Sequence, residues 1–530
     1  MRRLLQATVA LLCWSAAPAL AAPDAGAVRQ LAAEDTEGKL AAIRALAAQA
    51  DPGAARVLQA LADGALLVAG ERVVLVEDGR TVDAATGERL EPAPGSPDPI
   101  TINNRVRRAL GPALAALQLQ DPRREVRLAA ARQLAGGADA ALAAPLSRAL
   151  LAERDGAVKD FLALAYAQAT LGSGDAAARL AAATALGESG DPGARGLLER
   201  LLDARAEPDP NVRAAAAVSL RAVEWRLARG ELVGRIFSGL SLGSILLLAS
   251  LGLAISYGVM GVINMAHGEL LMVGAYAAFG VQALFRRYVP IAADYYVVAA
   301  LPAAFAAAFL VGVAMERTVI RFLYHRPLES LLATWGVSLL LTQSARVLFG
   351  AQNLEVANPS WMSGGASFLG IAVLPWNRIA IVAFALGVLA VVWLLLNRTR
   401  LGLYVRAVTQ NRTMAGCVGV PTSRVDTLAF GLGAGVAGLG GVALSQIANV
   451  GPDMGQGYIV DAFMVVVLGG VGQLAGAAWA ALGLGVASKF LEGWTGAVVA
   501  KIAILVFVIV FIQRRPQGLF APRGRSAEEA

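Results

Sequence analysis

Hydrophobic and polar positions follow two different rhythms along this chain. From residue 24 to about 229, Ala and Leu recur at three- and four-residue spacing among many charged residues. That period gives helices with one apolar face. From residue 232 to 512 the apolar residues instead form long runs, and the charges gather in the short loops between them. Runs of this kind suit helices that cross a hydrocarbon core, which takes ~20 residues. The pattern predicts nine spans, near 236–257, 269–285, 296–315, 328–349, 379–396, 425–444, 458–471, 475–489 and 497–512. The expected fold is all-α, with a helical-repeat domain over 23–230 and a polytopic transmembrane domain over 231–522.

The first domain repeats itself. Residues 39–63 align with 179–203 at a constant offset of 140, and twelve of the 25 positions are identical. The shared Asp-Pro-Gly-Ala, at 51–54 and 191–194, makes the turn between paired helices. Residues 127–150 fit the same frame, and 212–220 begins a further copy. This predicts a HEAT-like solenoid, in which stacking buries the faces that single repeats cannot. A small insert interrupts it. Residues 73–76 and 81–83 are strand candidates around Asp78-Gly79, a favoured hairpin turn. Pro92, Pro94, Pro97 and Pro99 then mark a loop. The domain contains neither His nor Cys. Without those nucleophiles and metal ligands, a scaffold or docking role is expected in place of catalysis.

The net charge of +7 comes almost entirely from Arg, since Lys39, Lys159, Lys489 and Lys501 are the only lysines. No basic run is interleaved with aromatics, so nucleic acid is not an expected partner. Arg2 and Arg3 precede an apolar run over 4–14 and the small-residue site Ala19-Leu20-Ala21. Residues 1–22 therefore read as a secretory signal peptide. An uncleaved anchor would leave the next domain on the same outer side. Cys417 is then the single cysteine of the mature chain, and no intrachain disulfide is expected. Nine crossings place the two ends on opposite sides. With the solenoid periplasmic, Arg514, Arg515 and the tail over 523–530 are cytoplasmic, as are Arg317, Arg321 and Arg326. Arg221, Arg226 and Arg229 run against the rule, which long translocated domains override.

Two segments carry candidate chemistry. Residues 257–269 place Asn264, His267 and Glu269 at membrane depth among Gly258, Gly261 and Gly268. Polar groups there are costly and face a cavity or a partner, and the glycines allow a broken helix. Either the three side chains bond to one another and fix the break, or they meet a substrate. His267 as a metal ligand lacks a clustered second ligand. A second interrupted segment, over 467–472, follows Asp461. Small residues at Gly239, Gly243, Gly431 and Gly435 permit close helix contact.

The loop over 397–424 carries Arg398, Arg400, Arg406, Arg412 and Arg424 before the first carboxylate at Asp426. Its charge predicts a cytoplasmic position. Asn411 can cap a short helix and Gly419 can end it in a left-handed conformation. Ser423 and Asp426 have capping-box spacing for the next helix. A surface helix of this kind suits docking, with Arg406 exposed and Met414 and Ala415 entering a partner's groove.

The run LGLYVRAVTQNRTMAGCVGV in that loop resembles the coupling loop of the branched-chain amino acid permease family of ABC importers. GVINMAHGE, at 261–269, and VLGGVG, at 467–472, resemble two further signatures of the family. The similarity extends over about 234–522, and the exported extension resembles the urea branch. It implies a non-catalytic, multi-pass permease of a bacterial inner membrane, importing urea or short amides. It implies a homologous second permease, two cytoplasmic ATPases, a periplasmic binding protein and contact with membrane lipid. Asn264, His267, Glu269 and Asp461 would then line the pathway, and Arg406, Asn411, Met414, Ala415 and Gly419 would serve ATPase coupling. No GxxxxGK[ST] is present, so ATP would bind the partner subunits and this chain needs no cofactor. An amino-acid importer is the alternative within the family. A urea channel or secondary transporter with a fused sensor is the alternative of another class, although most spans lack the ionisable residues a proton-coupled carrier needs. A membrane-anchored assembly platform would not need nine spans.

Overall fold

The computed structural model describes residues 23–520, apart from 34, 50, 71, 78–79, 91–97, 325 and 369–371. The expected signal peptide, the hairpin turn at Asp78-Gly79, Pro92, Pro94, Pro97 and the C-terminal tail lie outside the described residues. The rest is mostly helical and separates into two compact units, Met1–Arg229 and Gly230–Ala530.

In the first unit, helices α1 (Ala25–Gln30), α2 (Thr36–Gln49) and α3 (Pro52–Asp63) precede a small sheet. Then come α4 (Asn104–Gln118), α5 (Arg124–Ala135), α6 (Ala143–Ala152), α7 (Gly156–Thr170), α8 (Ala176–Glu188) and α9 (Gly193–Leu202). The helices α2 and α3 coincide with the first of the aligned repeats, and α8 and α9 with the second. Their inward Leu40, Ile43, Leu46, Leu186 and Leu198 are buried, as the period requires. The two expected strands are present as β2 (Arg72–Glu77) and β3 (Arg80–Asp83), with Leu75 opposite Val82. They belong to a larger sheet of order β3-β2-β1-β4, whose other strands are β1 (Leu66–Ala69) and β4 (Asp98–Pro99). Pro99 is therefore a strand residue and not part of a loop. An edge strand tolerates it because its missing N–H is not needed there.

Arginines tie successive turns of this unit together. Arg127 donates to Glu153 at 2.8 Å and to the carbonyls of Asp121 and Pro122. Arg179 donates to both oxygens of Glu207, at 2.7 and 2.9 Å, and to Ser173 O. Arg213 repeats the carbonyl contacts at Glu207 and Pro208. The Arg179 hydrogen bond holds the Glu207 carboxyl below its ordinary value of 4.5. Likewise, the Arg124 hydrogen bond lowers Asp155. A carboxyl lowered by folding stabilises the native state above its unfolded value, and the benefit is lost as pH falls through the folded one. Thermal scans of the purified protein should therefore show the unfolding midpoint of this unit dropping below about pH 4.5. Glu207→Gln should lower the midpoint at pH 7 and flatten the acid dependence. An unchanged midpoint at both pH values would show that the bridge contributes nothing.

Helix α10 (Pro210–Met260) spans the boundary residue, so that 230–260 opens the second unit. There follow α11 (His267–Tyr288), α12 (Tyr296–Thr318), α13 (Pro327–Phe349), the hairpin β5 (Gly365–Phe368) and β6 (Ala372–Pro375), and α14 (Trp376–Arg398). Two short helices, α15 (Arg400–Gln410) and α16 (Arg412–Cys417), precede α17 (Thr422–Ser445), α18 (Gln456–Gly469), α19 (Leu474–Thr495) and α20 (Ala497–Arg514). Among the described residues, eight helical segments are long and apolar enough to cross a membrane.

The ninth expected span is different. Helix α18 has 14 residues, or ~21 Å at 1.5 Å per residue, short of a ~30 Å core. Irregular backbone before it makes up the length. Val450 pairs with Leu354, and Asp453 with Arg346 near the end of α13. At the other end of α18, Leu519 donates to Leu468 O at 2.8 Å and Gly472 meets Gly258. The segment over 446–469 thus runs from one end of the unit to the other. Residues 470–472 do not continue it, because Gly470 and Gly472 take positive φ.

Most of α17 is buried at the centre. Gly433 lies against Gly252 of α10, and Gly438 and Gly441 lie against Gly274 and Leu271 of α11. Gly239 and Gly243 of α10 pack on the α19 backbone at Gly485 and Ala481, while Gly431 and Gly435 receive Phe309 and Phe305 of α12. All four expected small-residue contacts are made inside the chain.

Candidate functional site

Helix α10 ends at Met260, where Gly261 takes φ +63° and turns the chain. The residues between α10 and α11 are not helical, so their backbone groups need partners. Asn264 Oδ1 accepts from Ala266 N–H at 3.0 Å, and Thr334 Oγ1 of α13 accepts from Met265 N–H at 3.1 Å. His267 opens α11, and its Nε2 lies 2.9 Å from Ala249 O in the middle of α10. A carbonyl can only accept, so Nε2 carries the proton there. His267 is thereby a brace between two helices.

Asn264 and Glu269 are buried as well, but among the described residues their side chains bond neither to each other nor to His267, whose backbone N–H alone donates to the Asn264 carbonyl. Among the described residues, Asn264 Nδ2 and Glu269 Oε2 have no partner. The Ser338 hydroxyl of α13 lies beside the Glu269 carboxyl. Tyr276 follows Glu269 by seven residues, which puts both on one face of α11. Its ring stacks on Phe349 of α13 with centroids 4.3 Å apart, and its hydroxyl is unpartnered. Across the seam, Ser330, Thr334, Ser338 and Thr342 of α13 are all buried, and Thr342 Oγ1 is unpartnered. Leu331, Trp335 and Leu339 on the other side of that helix are exposed. Among the described residues, four buried polar atoms without partners are therefore spread along α11, the turn before it and α13, where native interiors normally leave very few. Together they offer donors and acceptors with a single carboxyl. Sequence reasoning missed the α13 hydroxyls and Tyr276. The signal was the four-residue spacing of Ser330, Thr334, Ser338 and Thr342 in an otherwise apolar run.

Asp461 is not part of this group. It pairs with Lys501 of α20 at 3.5 Å.

The candidates in the loop over 397–424 lie on and around two helices. Gly402 of α15 sits so close to α14 that a Cβ there would stand 1.9 Å from Leu396 O. Arg406 Nη1 donates to that carbonyl at 2.7 Å, so this exposed arginine also fastens α15 to α14. Asn411 Oδ1 caps α16 by accepting from Met414 N–H at 2.9 Å, and Gly419 follows with φ +87°. Met414 is 58% and Val418 76% exposed. Ala415 is only 4% exposed and packs into the core of the second unit, which corrects the expectation that it enters a partner's groove. A six-residue helix lying on a protein surface must turn some positions inward, and Ala415 is one. Asp426 does not cap α17 either. Its carboxylate is bidentate on Arg412.

A profile of the family described as "Branched-chain amino acid transport system / permease component" matches residues 235–513. The chain belongs to this family. The permease is 28% identical over 290 residues to the high-affinity branched-chain amino acid transport system permease protein LivH of Salmonella typhimurium, which covers 54% of this chain and 94% of the relative. It is 31% identical over 303 residues to the corresponding protein BraD of Pseudomonas aeruginosa, again 54% of this chain and 94% of the relative. A shorter similarity, 28% over 130 residues, reaches the ribose import permease protein RbsC of Escherichia coli, covering 22% of this chain and 40% of that one. No solved structure matches the permease. The family profile begins in α10 and ends in α20, and the solenoid candidate lies outside it.

Proposed function

We propose that this chain is the membrane subunit of an ABC importer for branched-chain amino acids. It works with a second permease, two cytoplasmic ATPases and a periplasmic binding protein. The cargo rests on the names of the relatives, which reverse the order of the sequence reading and put amino acids ahead of urea. The observation that carries the transport role is the α11–α13 seam. Its unpartnered Glu269 oxygen suits the ammonium group of a zwitterion, and its hydroxyls and amide suit the remaining polar atoms. Urea or a short amide is the second reading. It is favoured by the first unit, which falls outside the family profile and which we read as a HEAT-like periplasmic scaffold. In this orientation α15, α16 and Arg514 face the cytoplasm.

Uptake by the complete complex in proteoliposomes separates these readings. Labelled leucine and labelled urea are offered with the matching binding protein, with and without ATP. Asn264→Leu or Glu269→Leu should cut uptake at least about tenfold, the loss of one good polar contact. Ser344→Leu, on the exposed side of α13, should have no effect. Equal uptake by all three variants at equal expression would remove the seam from the pathway. Uptake without ATP would favour a channel or secondary carrier.

A further inference from the structure

The end of α10, the end of α12, the short helix α16 and the start of α17 meet in one polar cluster. Arg412 of α16 holds Asp426 of α17 through both guanidinium nitrogens, and Asp426 is fully buried. The same guanidinium lies over the ring of Tyr324, 4.7 Å from its centroid. Tyr324 donates its hydroxyl to Glu316 Oε1 of α12 at 2.8 Å, and its oxygen touches the sulfur of Met260 at 3.5 Å. Thr427 donates to the other Glu316 oxygen at 2.6 Å. Met260 is the last residue of α10, directly before the turn at Gly261.

We propose that Tyr324, held between Arg412 and Glu316, is a positioning residue that transmits movement of α16 to the break at Gly261. This rests on the importer reading above. Asp426 and Glu316 are both buried, and a buried charge tolerates little change in its partners before the cost rises steeply. Arg412 cannot follow a moving α16 without leaving Asp426 or dragging Tyr324. If Tyr324 moves, Glu316 loses a donor and Met260 loses its neighbour. The cluster thus favours two discrete arrangements over continuous deformation, as a relay between two sites requires. It ends at the segment that carries Asn264 and leads into Glu269. A passive staple would use the same contacts only to hold helices together, so the test must separate coupling from stability.

Tyr324→Phe keeps the ring beneath Arg412 and removes only the hydroxyl. The reconstituted importer is assayed for ATP hydrolysis and uptake side by side, with saturated binding protein. Uptake per ATP hydrolysed should fall about tenfold, a coupling change of ordinary size. The amount of assembled complex should stay at the wild-type level. Glu316→Gln, which keeps the shape, should lower the ratio as well. Arg346→Gln breaks the exposed Arg346–Asp453 pair at the opposite end of the unit and should leave the ratio unchanged. A wild-type ratio in both Tyr324→Phe and Glu316→Gln overturns the relay, as does a loss confined to the amount of complex. A wild-type complex that neither hydrolyses ATP nor imports overturns the importer reading, and the relay with it.

Discussion

Met414→Glu should abolish stimulation of ATP hydrolysis by loaded binding protein and reduce uptake to background, while the permease still inserts. Met414 on α16 and Val418 just after it, with Leu403 on α15, present exposed apolar side chains in a segment otherwise rich in arginine. The cap at Asn411 and the turn at Gly419 fix the two ends of the segment that carries Met414 and Val418. In the importer reading a partner ATPase covers it. A carboxylate at the centre of such a contact must be desolvated without a counter-ion, and central contact residues commonly cost ~2 kcal/mol or more on replacement. That is about 30-fold in affinity, enough to release the ATPase at ordinary concentrations. Ala415→Trp should behave differently. Ala415 is inside the permease, so a bulky side chain should lower the amount of folded protein before any partner is added. The check is co-purification of subunits with ATPase activity measured on the same samples. Full stimulation and uptake by Met414→Glu at normal stoichiometry would remove α16 from the ATPase contact.

The contrast between these neighbours shows where sequence reasoning succeeds. Caps are local, since Asn411 reaches only to Met414, and Gly419 needs only its own φ; both were legible. The break before His267 was legible too, because glycines and polar groups at membrane depth have few other uses. What the sequence hid came from far along the chain. Thr334 completes the break from 69 residues away. The His267 side chain bonds a carbonyl 18 residues earlier, so of the two alternatives for this segment the one with mutual side-chain bonds to Asn264 and Glu269 does not form. Asp426 has capping-box spacing from Ser423, but Arg412 offers a full charge in a buried place, and that outweighs one backbone N–H. The apolar pattern over 458–471 runs on past the end of α18 because periodicity does not register φ. The positive values at Gly470 and Gly472 stop the helix there.

Gly441→Ala, the addition of one methyl group, should remove nearly all folded permease from the membrane. The new Cβ would stand 1.9 Å from Leu271 O and 2.8 Å from Ala275 N, both backbone atoms of α11. A side chain could rotate away from such a contact, but a helix backbone can only retreat as a body. Retreat would also pull Gly274 of the same helix off Gly438, where a Cβ would stand 2.1 Å from the Gly438 oxygen, so the close backbone contact of α11 with α17 is lost at both glycines. Overpacking a core side chain costs ~1–3 kcal/mol, and a clash between two backbones lies at the upper end or beyond. Within the bilayer no hydrophobic gain offsets it, since helix association there depends on close packing. The damage also reaches function, because α11 forms one wall of the polar seam. Gly387→Ala is the matching control. It lies on an exposed part of α14 where a Cβ meets nothing within 4 Å, and it should leave the protein unchanged or slightly more stable. Size-exclusion profiles and thermal scans in detergent measure both variants. A Gly441→Ala protein that elutes and melts like wild type would mean that α11 and α17 do not approach as closely as their glycines allow.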